Sequence, residues 1–570
     1  MSFVSHSQLQ KIRMLGPLAA VLIVVLITLA AWFFLYFHPK SAMQKTAQAE
    51  PGKIRPLVVS KQNTWITSPL NSNGIPDYIS ALNNIAGEGA TAQNNAAIPL
   101  LNSAQNTVLS NGENFRQLLV ILSATPEQMG PNQWESVATY FREHLSSSKI
   151  NNESAEQLLP GWNGGFNVTG SDIYIMAETD YAANRPWTAA KCPLMASYLD
   201  QVQSICERMI PASLLPRFYI PQTAELHLGF FRRADSDIWS VISVIVAPLV
   251  FRANLCLGHG DVTGCQRNLI ALHHWARLFA QQPQPDAYES ALWLDELATG
   301  GDQVLLSSGH LNLAQSREYL QNLESLEELP HADRSIDLGA RYAALGLLAD
   351  MYQNVAHISP SSGAVFPRPF DHGVEPFIFS LQPPAGLDWD WVFRQVNQMY
   401  DAAVECLRFD PYIPQGLQAR QDYDHIDRRL GADIPSGNAT PQQEFFVEFM
   451  QHTSLGRIFP NPIYDDSLRA RNAALLTQVG FALAVYHAQN GHYPDSLDAL
   501  AGEFSQRVPV NLFSGDAFSY TPSSGGYTLY ANDPDMPTDP DDLRQTQKQY
   551  HLIIQFPLPA PEAWEKDKLP

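Results

Sequence analysis

The chain has 570 residues, an ordinary apolar content of 45% and few charged residues, 16%, against roughly 25% in soluble domains. That length allows a large core and more than one folding unit. The formal net charge of -21 argues against a nucleic-acid partner, because neutralising phosphates takes clustered Lys and Arg.

Leu15 to Phe37 is apolar apart from Thr28, with Trp32 and Tyr36 near one end. At 1.5 Å per residue a helix of this length crosses a ~30 Å hydrocarbon core. Ala47-Gln48-Ala49 imitates a cleavage site, but the apolar run exceeds the roughly 7–15 residues of a signal h-region and the mimic lies well beyond it. The expectation is an uncleaved transmembrane anchor at 15–37 behind a cytoplasmic tail, 1–14. Lys11 and Arg13 precede the span while Lys40, Lys45, Lys53 and Arg55 follow it, so the charge count leans weakly toward the opposite orientation. Residues 38–73 read as a polar linker. Its basic part, 40–61, is solvated or rests on anionic headgroups.

From 74 to 440 the pattern is an α-helical body. In 236–257, Ile242, Val246, Leu249, Ala253 and Cys256 form one stripe, which Pro248 should kink. In 262–281, Val262, Cys265, Leu269, Leu272, Ala276 and Phe279 form another. The short turn Gly258-His-Gly-Asp261 makes the two helices antiparallel neighbours. Further helices are expected at 286–308, 312–327, 334–354 and 388–407, the last with Asp388 as N-cap. The Pro-, Gly- and Phe-rich stretch 355–386 reads as a long ordered loop, and 409–440 as a polar connection. No regular 34-residue period runs along the chain.

Residues 441–570 form a C-terminal region built around a compact α+β unit at 467–531. Leu475, Leu476, Val479, Leu483 and Tyr486 recur at helical spacing, and Gly491 falls where a left-handed C-cap belongs. A short helix carrying Leu497 and Leu500 follows, then a turn at Ser514-Gly515-Asp516. Two alternating runs, Phe518/Tyr520 and Tyr527/Leu529, flank Pro522 to Gly526 and read as a hairpin, with His551 to Phe556 as a closing strand.

The run ALAVYHAQNGHYPDSLDAL, continued by VPVNLFSGDAFSY, resembles the soluble part of the major pseudopilins of type II secretion. It is more similar still to the C-terminal end of a family of membrane-anchored helical proteins common in planctomycetes. That likeness extends through much of 74–531, around GHGDVTGCQRNLIALHHWARLFAQ and DWDWVFRQVNQMYDAAV, and the 236–281 hairpin is similar to one unit of a tetratricopeptide-like array. It implies a single-pass bacterial inner-membrane protein whose body is periplasmic, and no particular activity. A pilus subunit would carry Glu at the fifth mature position, but Gly16 is followed by Pro17, Leu18, Ala19, Ala20 and Val21.

The side chains that suggest chemistry resolve into bland readings. Gly258 to Gly264 departs from a dinucleotide loop because the third Gly is late and a helix precedes it where a strand is required. His273 and His274, adjacent on a helix, point about 100° apart and cannot share a metal, so His273 is packed or solvated. Ser307-Ser308-Gly309 and Ser361-Ser362-Gly363 lack a nucleophile elbow. Glu324, Glu327 and Glu328 read as a polar helix face rather than an acid/base pair. Asp533, Asp535, Asp539, Asp541 and Asp542 follow the hairpin; pseudopilins hold calcium in such a loop, but EF-hand spacing is absent and a solvated acidic loop is the alternative. Among the five cysteines, Cys192 and Cys206 should bracket one helix, too far apart to bridge, while Cys256 and Cys265 are either two free buried thiols or one disulfide closing the hairpin. No catalytic, cofactor or metal residue is assigned. The mainly α chain is expected to be a non-enzymatic binding or scaffold protein of the cell envelope, with protein partners there and a secretion or pilus-like apparatus as one candidate association. A periplasmic hydrolase with a site built from 355–386 is the alternative.

Overall fold

The computed structural model describes residues 55–104, 118–124, 136–144, 178–222, 238–357, 383–410, 413–431, 439–452, 462–504, 507–523, 525–533 and 551–557. These are mainly helical, with one small sheet. No helix among them is long and apolar enough to cross a membrane, and 15–37 lie outside them. Apart from Arg55 and Pro384–Leu387, the described residues belong to one unit, Pro56–Pro383 with Asp388–Pro570.

In chain order its helices are α1 (Tyr78–Ala86), α2 (Ala97–Ala104), α3 (Val137–His144), α4 (Pro193–Gln201), α5 (Gln203–Ala212), α6 (Ile238–Val246), α7 (Pro248–Gly258), α8 (Val262–Phe279), α9 (Pro285–Ser307), α10 (Leu313–Ser325), α11 (Arg341–His357), α12 (Trp389–Arg408), α13 (Pro414–Gly431), α14 (Pro441–His452) and α15 (Pro462–Asn490). The expected helix over 236–257 is two helices, α6 and α7. Pro248 lacks the N–H that a continuous helix needs, and it opens α7 at the first position, where that N–H has no partner to lose. Likewise α4 and α5 divide at Val202, so the segment between Cys192 and Cys206 is two helices rather than one.

Caps follow the residue types. Asp261 accepts from the Gly264 N–H at 2.8 Å to start α8, Asp388 from the Trp391 N–H at 3.0 Å to start α12, and Asn312 and Gln315 form a capping box on α10. A π-turn over Ser335–Ala340 precedes α11 inside the expected 334–354 helix. The polar stretch 409–440 is corrected: it contains α13, which buries Ala419 and Tyr423 and packs on α12. Gln, Asp, Arg and His fill most of that helix, which gives the stretch the composition of a connection.

The centre of the unit is α9, which packs against α7, α8 and α15. Its apolar residues Ala287, Ala291, Leu294, Ala298, Leu305 and Leu306 are buried on several sides. Residues 56–66, in the stretch read as linker, are folded onto α11 and α12. The Leu57 N–H donates to the Tyr352 hydroxyl at 3.1 Å and the Val58 N–H to Asp390 at 2.9 Å, while Asn397 donates to the Asn63 carbonyl at 2.7 Å. Trp65 has φ 61, a left-handed value rare for a bulky residue, and its ring lies 3.8 Å from the Arg341 guanidinium.

At the C-terminal end, α15 runs over α9 and α10 and stops at Gly491, whose φ of 77 is the expected left-handed cap; its N–H donates to the His487 carbonyl at 2.8 Å. The sheet is an antiparallel meander of β1 (Ser519–Ser523), β2 (Gly526–Tyr530) and β3 (Ile553–Phe556), with Tyr520 opposite Leu529 and Leu529 opposite Ile554. Pro522 is accommodated because β1 has no other strand partner among the described residues. Tyr527, Leu529 and Ile554 are buried, and β2 and β3 pack on α15.

Candidate functional site

A buried cluster of ionisable side chains lies between α8, α9 and α10. His273 and Arg277 sit one turn apart on α8. Asp295 and Asp302 sit seven residues apart on α9, and so on one face. His273 Nδ1 is 2.6 Å from Asp295 Oδ1 and its Nε2 is 2.9 Å from Asp302 Oδ2. The Tyr319 hydroxyl of α10 donates to Asp302 Oδ1 at 2.5 Å, and Arg277 pairs with Asp295 while its Nε donates to the Glu327 carbonyl at 2.8 Å. The side chains of His273, Asp295 and Asp302 are no more than 2% exposed.

Burial alone would lower the imidazole's proton affinity, but the carboxylates of Asp295 and Asp302 outweigh it and raise His273 to about 9. Burial would likewise raise Asp295, and Arg277 and His273 overcome it, holding that carboxyl at about 2. Burial and then Asp302 push the Tyr319 phenol far up, so it remains a donor. His273 is therefore an imidazolium with each N–H given to a carboxylate. In that state it offers no lone pair to a proton or a metal, and what the arrangement does is join three helices through charge-assisted bonds.

Two further arginines close clusters of the same kind. Arg471 on α15 reaches Glu328 at 2.5 Å and Asp410 at 2.9 Å. Arg341, fully buried where the π-turn meets α11, reaches Asp337 at 2.8 Å and Asp401 at 2.7 Å between the rings of Trp65 and Tyr400.

The residues singled out from sequence are scattered. Gly258 to Gly264 is an interhelical turn, and a methyl group at Gly258 would meet the Trp187 carbonyl at 1.8 Å. His273 is packed rather than solvated, whereas burial, Arg277 and His273 itself lower its neighbour His274. Ser307 ends α9 and Ser308 caps it, its hydroxyl donating to the Leu305 carbonyl at 2.7 Å. Glu324 lies in α10, whereas Glu327 and Glu328 follow its end and serve Arg277 and Arg471. Asp533 is 2% exposed and accepts from Arg469 at 3.1 Å; Asp535, Asp539, Asp541 and Asp542 lie outside the described residues, as do Ser361, Ser362 and most of 355–386. All five cysteines are free thiols, and burial raises each of them first: Cys192 to about 12, Cys206 to about 11 and Cys406 to about 11, with Cys256 and Cys265 also above the usual value.

Sequence reading reached His273 without its partners. Asp295 and Asp302 were legible as two acids at a seven-residue interval on a helix whose same face carries Ala291, Ala298 and Leu305. Carboxylates on a buried face need partners. No family model matches the chain, and no curated protein or solved structure matches it.

Proposed function

We propose that this chain is a non-catalytic binding or scaffold protein of the bacterial cell envelope, anchored by a single inner-membrane span at 15–37 with its helical body in the periplasm. The observation that carries the reading is the way the body spends its ionisable groups. His273, Asp295, Asp302, Tyr319, Arg277, Arg341 and Arg471 are engaged with one another or with neighbouring acids, in bonds that join helices. A general acid or base needs a titrating group free to reach a substrate, and His273 has both nitrogens committed. The apolar run Leu15 to Phe37 supplies the anchor.

Within this reading the helical hairpins form an array resembling tetratricopeptide units, and 467–531 is a pseudopilin-like unit placed to meet envelope proteins. Alkaline phosphatase fused at the C-terminus is expected to be active and a cytoplasm-only reporter at the same place inactive; the reverse pattern removes the periplasmic body. In-cell crosslinking of the full chain is expected to capture defined envelope proteins. Capture of none, together with hydrolase activity in the purified chain, removes the scaffold role.

A further inference from the structure

Two adjacent glycines, Gly300 and Gly301, stand in the middle of the 23-residue helix α9, where they weaken it. The reason for Gly300 lies 251 residues away in sequence. A methyl carbon at this position would be 2.7 Å from Cε1 and 2.9 Å from Nε2 of His551, so the missing side chain is a notch filled by that imidazole. Gln303, one turn further along α9, donates from Nε2 to the His551 carbonyl at 2.8 Å and to Thr477 of α15 at 3.1 Å. His551 itself takes φ 53, a left-handed value, and two residues later β3 begins. Ring, backbone and strand are thus seated on α9 by one residue.

No described charged side chain acts on the ring; burial alone lowers it, to about 4. On α9, Asp302 is about 200° around the helix from Gly300 and is committed to His273 and Tyr319. Glu296, one turn before Gly300, interacts with Asp466 and Arg469 of α15; burial first and then Asp466 raise it to about 7, so at pH 5 it is neutral and offers the ring no counter-charge. Beside Gln303, α15 presents Thr477. The sheet contributes the phenol of Tyr527, held far above its usual range, and β3 contains no charged residue.

We propose that His551 in the Gly300 notch is an acid-released latch: protonation of its imidazole expels the ring from α9, and β3 leaves with it. Among the described residues no acceptor acts on the seated ring, whereas the released ring is solvated. Opening strips β2 of its partner along Tyr527–Tyr530 and leaves a row of backbone groups that an extended segment can pair with. A ring at about 4 when seated and near the ordinary ~6.5 when released makes opening about 20-fold more favourable at pH 5 than at pH 7.

Hydrogen exchange on the full chain, corrected for intrinsic rates, reads this directly at the amides of Leu552 to Phe556. The unsubstituted chain is expected to lose about 20-fold in protection from pH 7 to pH 5, and His551→Gln to show no such change. Equal pH dependence in both overturns the latch. Gly300→Ala tests the notch independently: it is expected to lower β3 protection at pH 7 already, and unchanged protection there also overturns the proposal.

Discussion

Asp302→Asn should expose how strongly the α8–α9–α10 contact depends on a charged histidine. The substitution keeps the size of the side chain and an oxygen for the Tyr319 hydroxyl, but removes the carboxylate that faces His273 Nε2. His273 and Arg277 then compete for Asp295 alone. Holding the imidazole at about 9 instead of 6.5 represents about 3 kcal/mol at ~1.4 kcal/mol per pH unit. Removing one partner of a buried ion pair generally costs about 3–5 kcal/mol, so a loss of about 2–4 kcal/mol near pH 6.5 is expected. The folded value lies above the unfolded one, so this stabilisation is complete below pH ~6.5 and disappears as the pH rises through about 9. Glu296 and Asp350, raised by burial to about 7 and about 6, shift stability in the same direction between pH 4.5 and 7, but they do so equally in both proteins. The informative quantity is therefore the gap between variant and parent. Urea unfolding followed by far-ultraviolet circular dichroism at pH 6.5 and pH 9.5 measures it. A gap below about 0.5 kcal/mol at pH 6.5, the size of an ordinary surface substitution, or one of equal size at both pH values, refutes a charged His273.

Tyr527→Phe should leave stability unchanged or raise it by up to about 1 kcal/mol in the same unfolding assay, because the buried hydroxyl beside Gly480 has no hydrogen-bond partner among the described residues and such a group costs roughly 1–3 kcal/mol; a loss above about 1 kcal/mol would mean that a bond exists there. Gly491→Val places a β-branched residue at φ 77 and should cost the full chain about 1–2 kcal/mol, whereas an unchanged urea midpoint would show that the cap is not left-handed. Alkylation of the unreduced, denatured chain should modify all five cysteines; peptide mapping that finds Cys256 joined to Cys265 would correct the free-thiol state, and a Cys192–Cys206 bridge would contradict α4 and α5.

The long periodic helices were legible in the sequence. Val262 to Phe279, the Asp388 cap and the Gly491 stop follow from rules acting within one or two turns. What escaped is set by partners distant in sequence. Helix α13 is disguised by its composition, since Gln, Asp, Arg and His fill most of it, and Ala419 and Tyr423 are buried among them. The π-turn at Ser335–Ala340 leads into a buried arginine that Asp401 and the ring of Trp65 accompany. Gly300 reads as a weak point in a helix until His551 is brought against it. The candidate site was half legible: a histidine on an apolar stripe could be seen, but its carboxylates belong to the next helix, and pairing across helices leaves no local signature.

The strap at 56–66 sets an order of events. Its partners Arg394 and Asn397 lie 331 and 334 residues later in the chain than Asn63. At synthesis rates of roughly 5–20 residues per second, about 17–70 seconds pass between the emergence of the strap and of the helix that satisfies it. During that interval Val58 and Asn63 lack their α12 partners, although Arg341 and Tyr352 of α11 emerge earlier to meet Trp65 and Leu57, while the α7–α8 hairpin, made of contacts near in sequence, can already form. The first residues of the unit are thus among the last to settle. Truncating the chain before α12 should leave them open to proteases, although every residue of the strap itself is present.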